Sequence, residues 1–142
     1  MTYNTCRIQA IEDLKNYNYL KSSLAILPKR IETMQNCIPH SRTDPSEACS
    51  ASNTVADAAI AQIEYLQSTL SANSAKVYCI ETALDTLPAR DRELLKSYYI
   101  NRQRNSLTSL AHKSYSDRSS IYRRAQRALE KYILAFFGET PA

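Results

Sequence analysis

Between positions 118 and 127 the sequence reads RSSIYRRAQR, which brings Arg118, Ser119, Ser120, Tyr122, Arg123, Arg124, Gln126 and Arg127 into one short stretch. These side chains share a chemistry. An arginine fork matches the O6 and N7 of guanine, a glutamine amide matches the N6 and N7 of adenine, and serine hydroxyls with backbone N–H groups suit phosphate oxygens. After Asp117 the next carboxylate is Glu130, whereas a helix face that is merely solvated usually mixes Glu with Lys. The stretch therefore points to a polyanionic partner, and among polyanions to DNA.

Elsewhere the sequence excludes more chemistry than it offers. The single glycine, Gly138, stands near the C-terminal end of the 142 residues. No Gly-rich loop exists to wrap backbone N–H groups around a phosphate, which excludes P-loop and dinucleotide-binding enzymes. Cys37, His40 and Cys49 share a segment, but their spacing is not a zinc signature and a fourth ligand is missing. His40 and His112 belong to no triad or metal motif. Glu12, Asp13, Glu32, Glu64 and Glu81 read as a charged outer helix face. We expect no catalytic residues, no metal and no cofactor. The cysteines (Cys6, Cys37, Cys49, Cys79) follow no basic and apolar leader, and no apolar run approaches the ~18 residues of a membrane span. A cytoplasmic chain with reduced thiols is the expectation.

The formal charge of +4 is unevenly placed. Residues 1–87 hold 7 Lys+Arg against 9 Asp+Glu, whereas residues 88–138 hold 11 against 4. Basic charge so concentrated marks the C-terminal third as the surface that meets an anion.

Helices must position these residues, because so little glycine leaves few hairpins or bulges for a sheet. Tyr17, Leu20, Leu24, Leu27, Ile31, Met34 and Ile38 alternate steps of three and four, a heptad seam on a helix expected from Cys6 to Asn36. Pro28 lies within it and predicts a kink or break after Leu27. The segment Cys37 to Asn53, with two prolines and no periodicity, reads as a loop at about 37–54. A second seam, Val55, Ala59, Ile63, Leu66, Leu70, Asn73, Val77, Ile80, Leu84 and Leu87, predicts a helix from Thr54 to Thr86. The two seams fit an antiparallel hairpin, a parallel coiled coil between chains, or both. Asn73 either fixes register within the seam or faces solvent.

From Pro88 the pattern changes. Pro88 suits the first turn of a helix ending near Ile100, with Leu94, Leu95 and Tyr98 or Tyr99 as its apolar stripe. Asn101 to Asn105 reads as a connection. Ser106 can cap a short helix carrying Leu107, Leu110 and Ala111 that stops by Tyr115, and Ser116 or Asp117 can cap the next. The last helix is predicted from Arg118 to Phe137, burying Ile121, Ala125, Ala128, Leu129, Tyr132, Ile133 and Phe136 and ending at Gly138. Its first turn offers N–H groups to an anion. The reading is an all-α chain: a helical hairpin or coiled coil over 1–87 and a helix-turn-helix domain over 88–142.

The order LPARDRELL, SLTSLAHKS, SDRSSIYRRAQRALEKY resembles region 4 of bacterial sigma factors. More closely, it resembles the sigma-like helix-turn-helix of phage-encoded transcriptional regulators of the ArpU and RinA type. The likeness spans about residues 80–138, and AIEDLKNYNYLKSSLAILPKRIETM followed by a second long helix extends it over most of the chain. It implies that Leu110 and Ala111 pack within the first motif helix, that Ile121, Ala128 and Leu129 pack within the recognition helix, and that Arg118, Ser119, Ser120, Tyr122 and Arg123 face DNA. Ser114, Tyr115 and Arg124 depart from the pattern; the first two reshape the turn, and Arg124 is free to reach phosphate. The resemblance further implies an activator of phage late genes in a bacterial host, acting at promoter DNA and through RNA polymerase.

Composition and spacing by themselves reach a DNA-binding helical protein. The leading expectation is a sequence-specific regulator on double-stranded DNA, able to form a homo-oligomer through its N-terminal helices. The alternative is a DNA-packaging component like a phage terminase small subunit. A protein that docks an acidic partner, and an enzyme, stand behind these. A complete sigma factor is not expected, since the first 87 residues lack Trp and a basic excess.

Overall fold

A computed structural model describes residues 2–38, 50–102 and 117–141, apart from the side chains of 50–54. It is all-α: the described residues form four helices and no strand. Helix α1 covers Tyr3–Cys37, α2 covers Ser50–Asp85, α3 covers Ala89–Leu95 and runs on into a wider π-turn over Lys96–Ile100, and α4 covers Arg118–Phe137. The predicted short helix with Ser106, Leu107, Leu110 and Ala111, and with it His112, Ser114, Tyr115 and Ser116, lies outside the described residues, as do His40 and Cys49.

Contacts divide the chain into two compact units along lines other than 1–87 and 88–142. One unit joins residues 1–19 with 76–142, and the other is 20–75. Both long helices contribute residues to both units.

In the unit of residues 20–75, Leu27 and Ile31 of α1 pack with Ile63 and Leu66 of α2, and Met34, Ile38 and Leu70 flank them. These are the seam positions, and the seams meet within one chain. Asn73 Nδ2 donates to Ser23 Oγ at 3.0 Å, so this polar seam residue is half-buried and bonded to the facing helix. Ser23 precedes Leu27 while Asn73 follows Leu66, so the two helices run antiparallel. Pro28 does not break α1: the helix continues through it with the proline exposed. The lost N–H and the ring then fall on the outer side, while Leu27 and Ile31 hold the inner side. Helix α2 begins at Ser50, inside the segment read as a loop, and Val55 at the far end of its seam is exposed.

In the unit of residues 1–19 and 76–142, the buried residues come from all four helices. Cys6, Ala10 and Leu14 of α1 are buried, as are Val77, Ile80, Ala83 and Leu84 of α2, Leu87 after it, and Leu95, Tyr98, Tyr99 and Ile100. Helix α4 adds Ile121, Ala125, Ala128, Leu129, Tyr132 and Ile133, and α3 packs against it. The π-turn, closed by the Asn101 N–H on the Lys96 carbonyl at 2.7 Å, lets three successive residues turn inward. Asn18 Nδ2 secures its end, donating to the Ile100 carbonyl at 3.3 Å and Asn101 Oδ1 at 3.2 Å.

One correction concerns the carboxylates. Asp13 was expected on a solvated face but is 3% exposed. The seam of α1 starts earlier than Tyr17, at Cys6 and Ala10, and Asp13 occupies one of its positions. Burial is balanced by Lys76 Nζ at 3.2 Å and by Gln9 Nε2, which donates to Oδ1 at 2.8 Å. Glu81 likewise turns to a partner, accepting from the Tyr17 hydroxyl.

Candidate nucleic-acid interface

Helix α4 is built from its caps inward. Asp117 adopts an extended backbone before the helix, and its Oδ1 accepts the Ser120 N–H at 2.7 Å. That is N-capping by carboxylate, and it selects Asp117 over Ser116 as the cap. At the other end Gly138 takes a left-handed φ of 72° and its N–H returns to the Leu134 carbonyl at 3.0 Å. Between the caps the predicted inward residues are buried, Phe136 being half-buried. Opposite them Arg118, Ser119, Tyr122, Arg123 and Arg127 are exposed, and Ser120 and Arg124 are half-buried.

One tie of α4 to its neighbours lies away from this face. Lys131 Nζ meets Asp91 Oδ2 of α3 at 2.7 Å, while Tyr132 and Phe136, one turn apart on α4 itself, stack with ring centroids 5.7 Å apart. Among the described residues, no carboxylate forms an ion pair with Arg118, Arg123, Arg124 or Arg127. Four guanidinium groups thus lie on the first three turns of one helix, beside an aromatic ring that is 48% exposed at Tyr122. Such a surface can hydrogen-bond base edges and phosphates while the buried side holds its backbone still.

Two features modify the expected set. The helix N-terminus carries its own anion: the Ser120 N–H, then the Ser120 hydroxyl and the Arg123 charge hold the Asp117 carboxyl below its ordinary pKa. A phosphate approaching the first turn meets that carboxylate. Gln126 faces inward. Its Oε1 accepts from Arg7 Nη2 of α1, and its Nε2 donates to the Tyr99 hydroxyl at 3.3 Å. Both ends of the amide are engaged inside the protein. Burial raises the Tyr99 pKa against the lowering effect of the Gln126 bond, so the phenol stays protonated through the neutral range.

Arg7 and Tyr99 are the residues that reading the sequence missed. Arg7 is the lone cation of the first fourteen residues, which is a weak signal, and a partner 119 positions away leaves no trace in spacing.

Cys6 is buried, Cys37 and Cys79 are exposed, and all three are free thiols. The described residues contain no group of three His, Cys, Asp or Glu side chains able to hold a metal ion, and none of their helices is long and apolar enough to cross a membrane. Comparison with protein families, curated proteins and solved structures finds no match.

Proposed function

We propose that this chain is a sequence-specific DNA-binding transcriptional regulator that reads double-stranded DNA with the exposed face of α4. One observation carries the reading: Arg118, Tyr122, Arg123 and Arg127 stand exposed on a helix whose opposite face is buried. Arg118 and Arg123 are the base readers, and Arg124 and Arg127 contact phosphate. The resemblance to phage regulators with a sigma-like helix-turn-helix extends this to activation at promoter DNA alongside RNA polymerase.

The test is selection of bound duplexes from a random-sequence pool by the full chain, with an Arg118→Ala/Arg123→Ala variant alongside. A motif enriched by the wild type and lost in the variant supports the reading, each base-edge arginine being worth about 1 to 3 kcal/mol of specific binding. Equal losses on every duplex reduce both residues to phosphate contacts and overturn sequence-specific readout. Affinity that stays flat as salt rises overturns DNA binding itself.

A further inference from the structure

Gln126 has the side chain of an adenine reader, and it sits among arginines on the helix proposed to meet DNA. Yet its amide is bonded at both ends within the protein, to Arg7 of α1 and to Tyr99 of the π-turn. All three residues belong to the same compact unit. Arg7 is half-buried, and the core beside it contains Cys6 and Ala10 from the same turns of α1.

An amide held from two sides adds to the packing of the buried face in setting the rotation of α4 about its axis. Gln126 leaves the helix one turn after Tyr122 and Arg123, so a rotation that broke either bond would swing those side chains around the same axis. A shift of about 1 Å is enough to lose a bidentate arginine contact, whose reach is that of a hydrogen bond.

Resting on the reading above, we infer that Arg7 and Gln126 are positioning residues for DNA recognition: an arginine near the start of the chain sets the pose of the DNA-facing helix, and Gln126 reads no base. Base discrimination by Arg118 and Arg123 then depends on residue 7, which touches no DNA.

The experiment uses the full chain with Arg7→Ala, Gln126→Ala, their double variant and Gln126→Glu. Two measurements are made on each, thermal unfolding without DNA and selection from a random duplex pool. Gln126→Glu sets a carboxylate against the Arg7 guanidinium and keeps the contact. It is expected to retain the wild-type motif, with any affinity loss equal on all sequences. Arg7→Ala and Gln126→Ala are each expected to reduce discrimination between motif and random DNA about tenfold, with an unchanged salt slope because the phosphate contacts persist. The double variant is expected to lose no more than either single one, in unfolding and in discrimination alike.

A changed base at one motif position in Gln126→Glu, with Arg7→Ala retaining the full motif, would make Gln126 a direct reader and overturn the inference. Additive losses of thermal stability in the double variant would overturn the contact itself. If the wild type enriches no motif, the DNA reading fails on its own, and with it any role of the pair in recognition. The unfolding cycle then still decides whether the contact exists.

Discussion

At the scale of single residues, three side chains have consequences that can be measured. Asp117 caps α4 but places a negative charge where DNA is proposed to approach. Asn keeps the capping oxygen but not the charge, so Asp117→Asn is expected to lower the thermal midpoint at neutral pH by less than Asp117→Ala and to strengthen binding to all duplexes, read as a uniform fall in Kd. The folded-state pKa of Asp117 is depressed. Its contribution to stability is therefore fully present above the unfolded value and is lost as pH falls through the lower folded value. Denaturant titrations of wild type and Asp117→Ala are expected to differ at neutral pH and to converge in acid. A constant gap would dissociate the cap from the carboxylate's charge.

Tyr132 is fully buried and its hydroxyl has no hydrogen-bond partner among the described residues. Burial first, then the charge of Asp13 and of Cys79, push its pKa far up, so it remains neutral. An orphan buried hydroxyl costs about 1 to 3 kcal/mol. Tyr132→Phe should accordingly stabilise the protein by about 1 kcal/mol in urea unfolding, whereas a loss of stability would reveal a partner for the hydroxyl. Lys76 is more exposed than Asp13, at 41% against 5% of the side chain, so water takes up part of the loss when the lysine is removed. Lys76→Met is expected to destabilise by about 1 to 3 kcal/mol, less than for a fully buried pair.

At the scale of elements, legibility followed the strength of local signals. Helix α4 has the predicted bounds because three cues agree: a capping aspartate, a sustained 3.6-residue period and a terminal glycine. The seams of α1 and α2 were legible for the same reason. The early start of α2 was not, because Ser, Ala and Asn at 50–53 carry no periodicity. Asp13 was misread because charge outweighed position: its place in the heptad register is visible only once the seam is followed back to Cys6. The bonds of Gln126 to Arg7 and Tyr99 were not legible, because residue type says nothing of a partner on another helix.

Pro28 offers the clearest element-level test. The helix tolerates it without breaking, yet its missing N–H leaves the Leu24 carbonyl without an intrahelical donor. Pro28→Ala is expected to raise stability by about 1 to 3 kcal/mol, measured by denaturant midpoint. No gain would mean that the Leu24 carbonyl loses nothing by the missing N–H at position 28.

At the scale of the whole molecule, the two units and the charge asymmetry follow different boundaries. The basic excess begins after residue 87, but the unit that carries it also contains residues 1–19. A fragment of residues 88–142 lacks the apolar side chains of Cys6, Ala10, Leu14, Ile80 and Leu84, all of which are buried in that unit. It is expected to show little helix by circular dichroism and no motif in duplex selection. A chain in which a short linker replaces residues 20–75 is expected to keep both, since Tyr17 and Glu81 already stand within hydrogen-bond reach. A helical, motif-selecting 88–142 fragment would contradict this division.

The joining of residues 1–19 to α4 also orders events during synthesis. On the ribosome the chain emerges from its first residue, and the 20–75 hairpin has all its partners once α2 is out. The other unit must wait. Its first helix holds Arg7 without Gln126 until α4 has been translated. A nascent chain thus has no assembled α4 face until α4 itself has emerged to meet its partners on α1 and the π-turn.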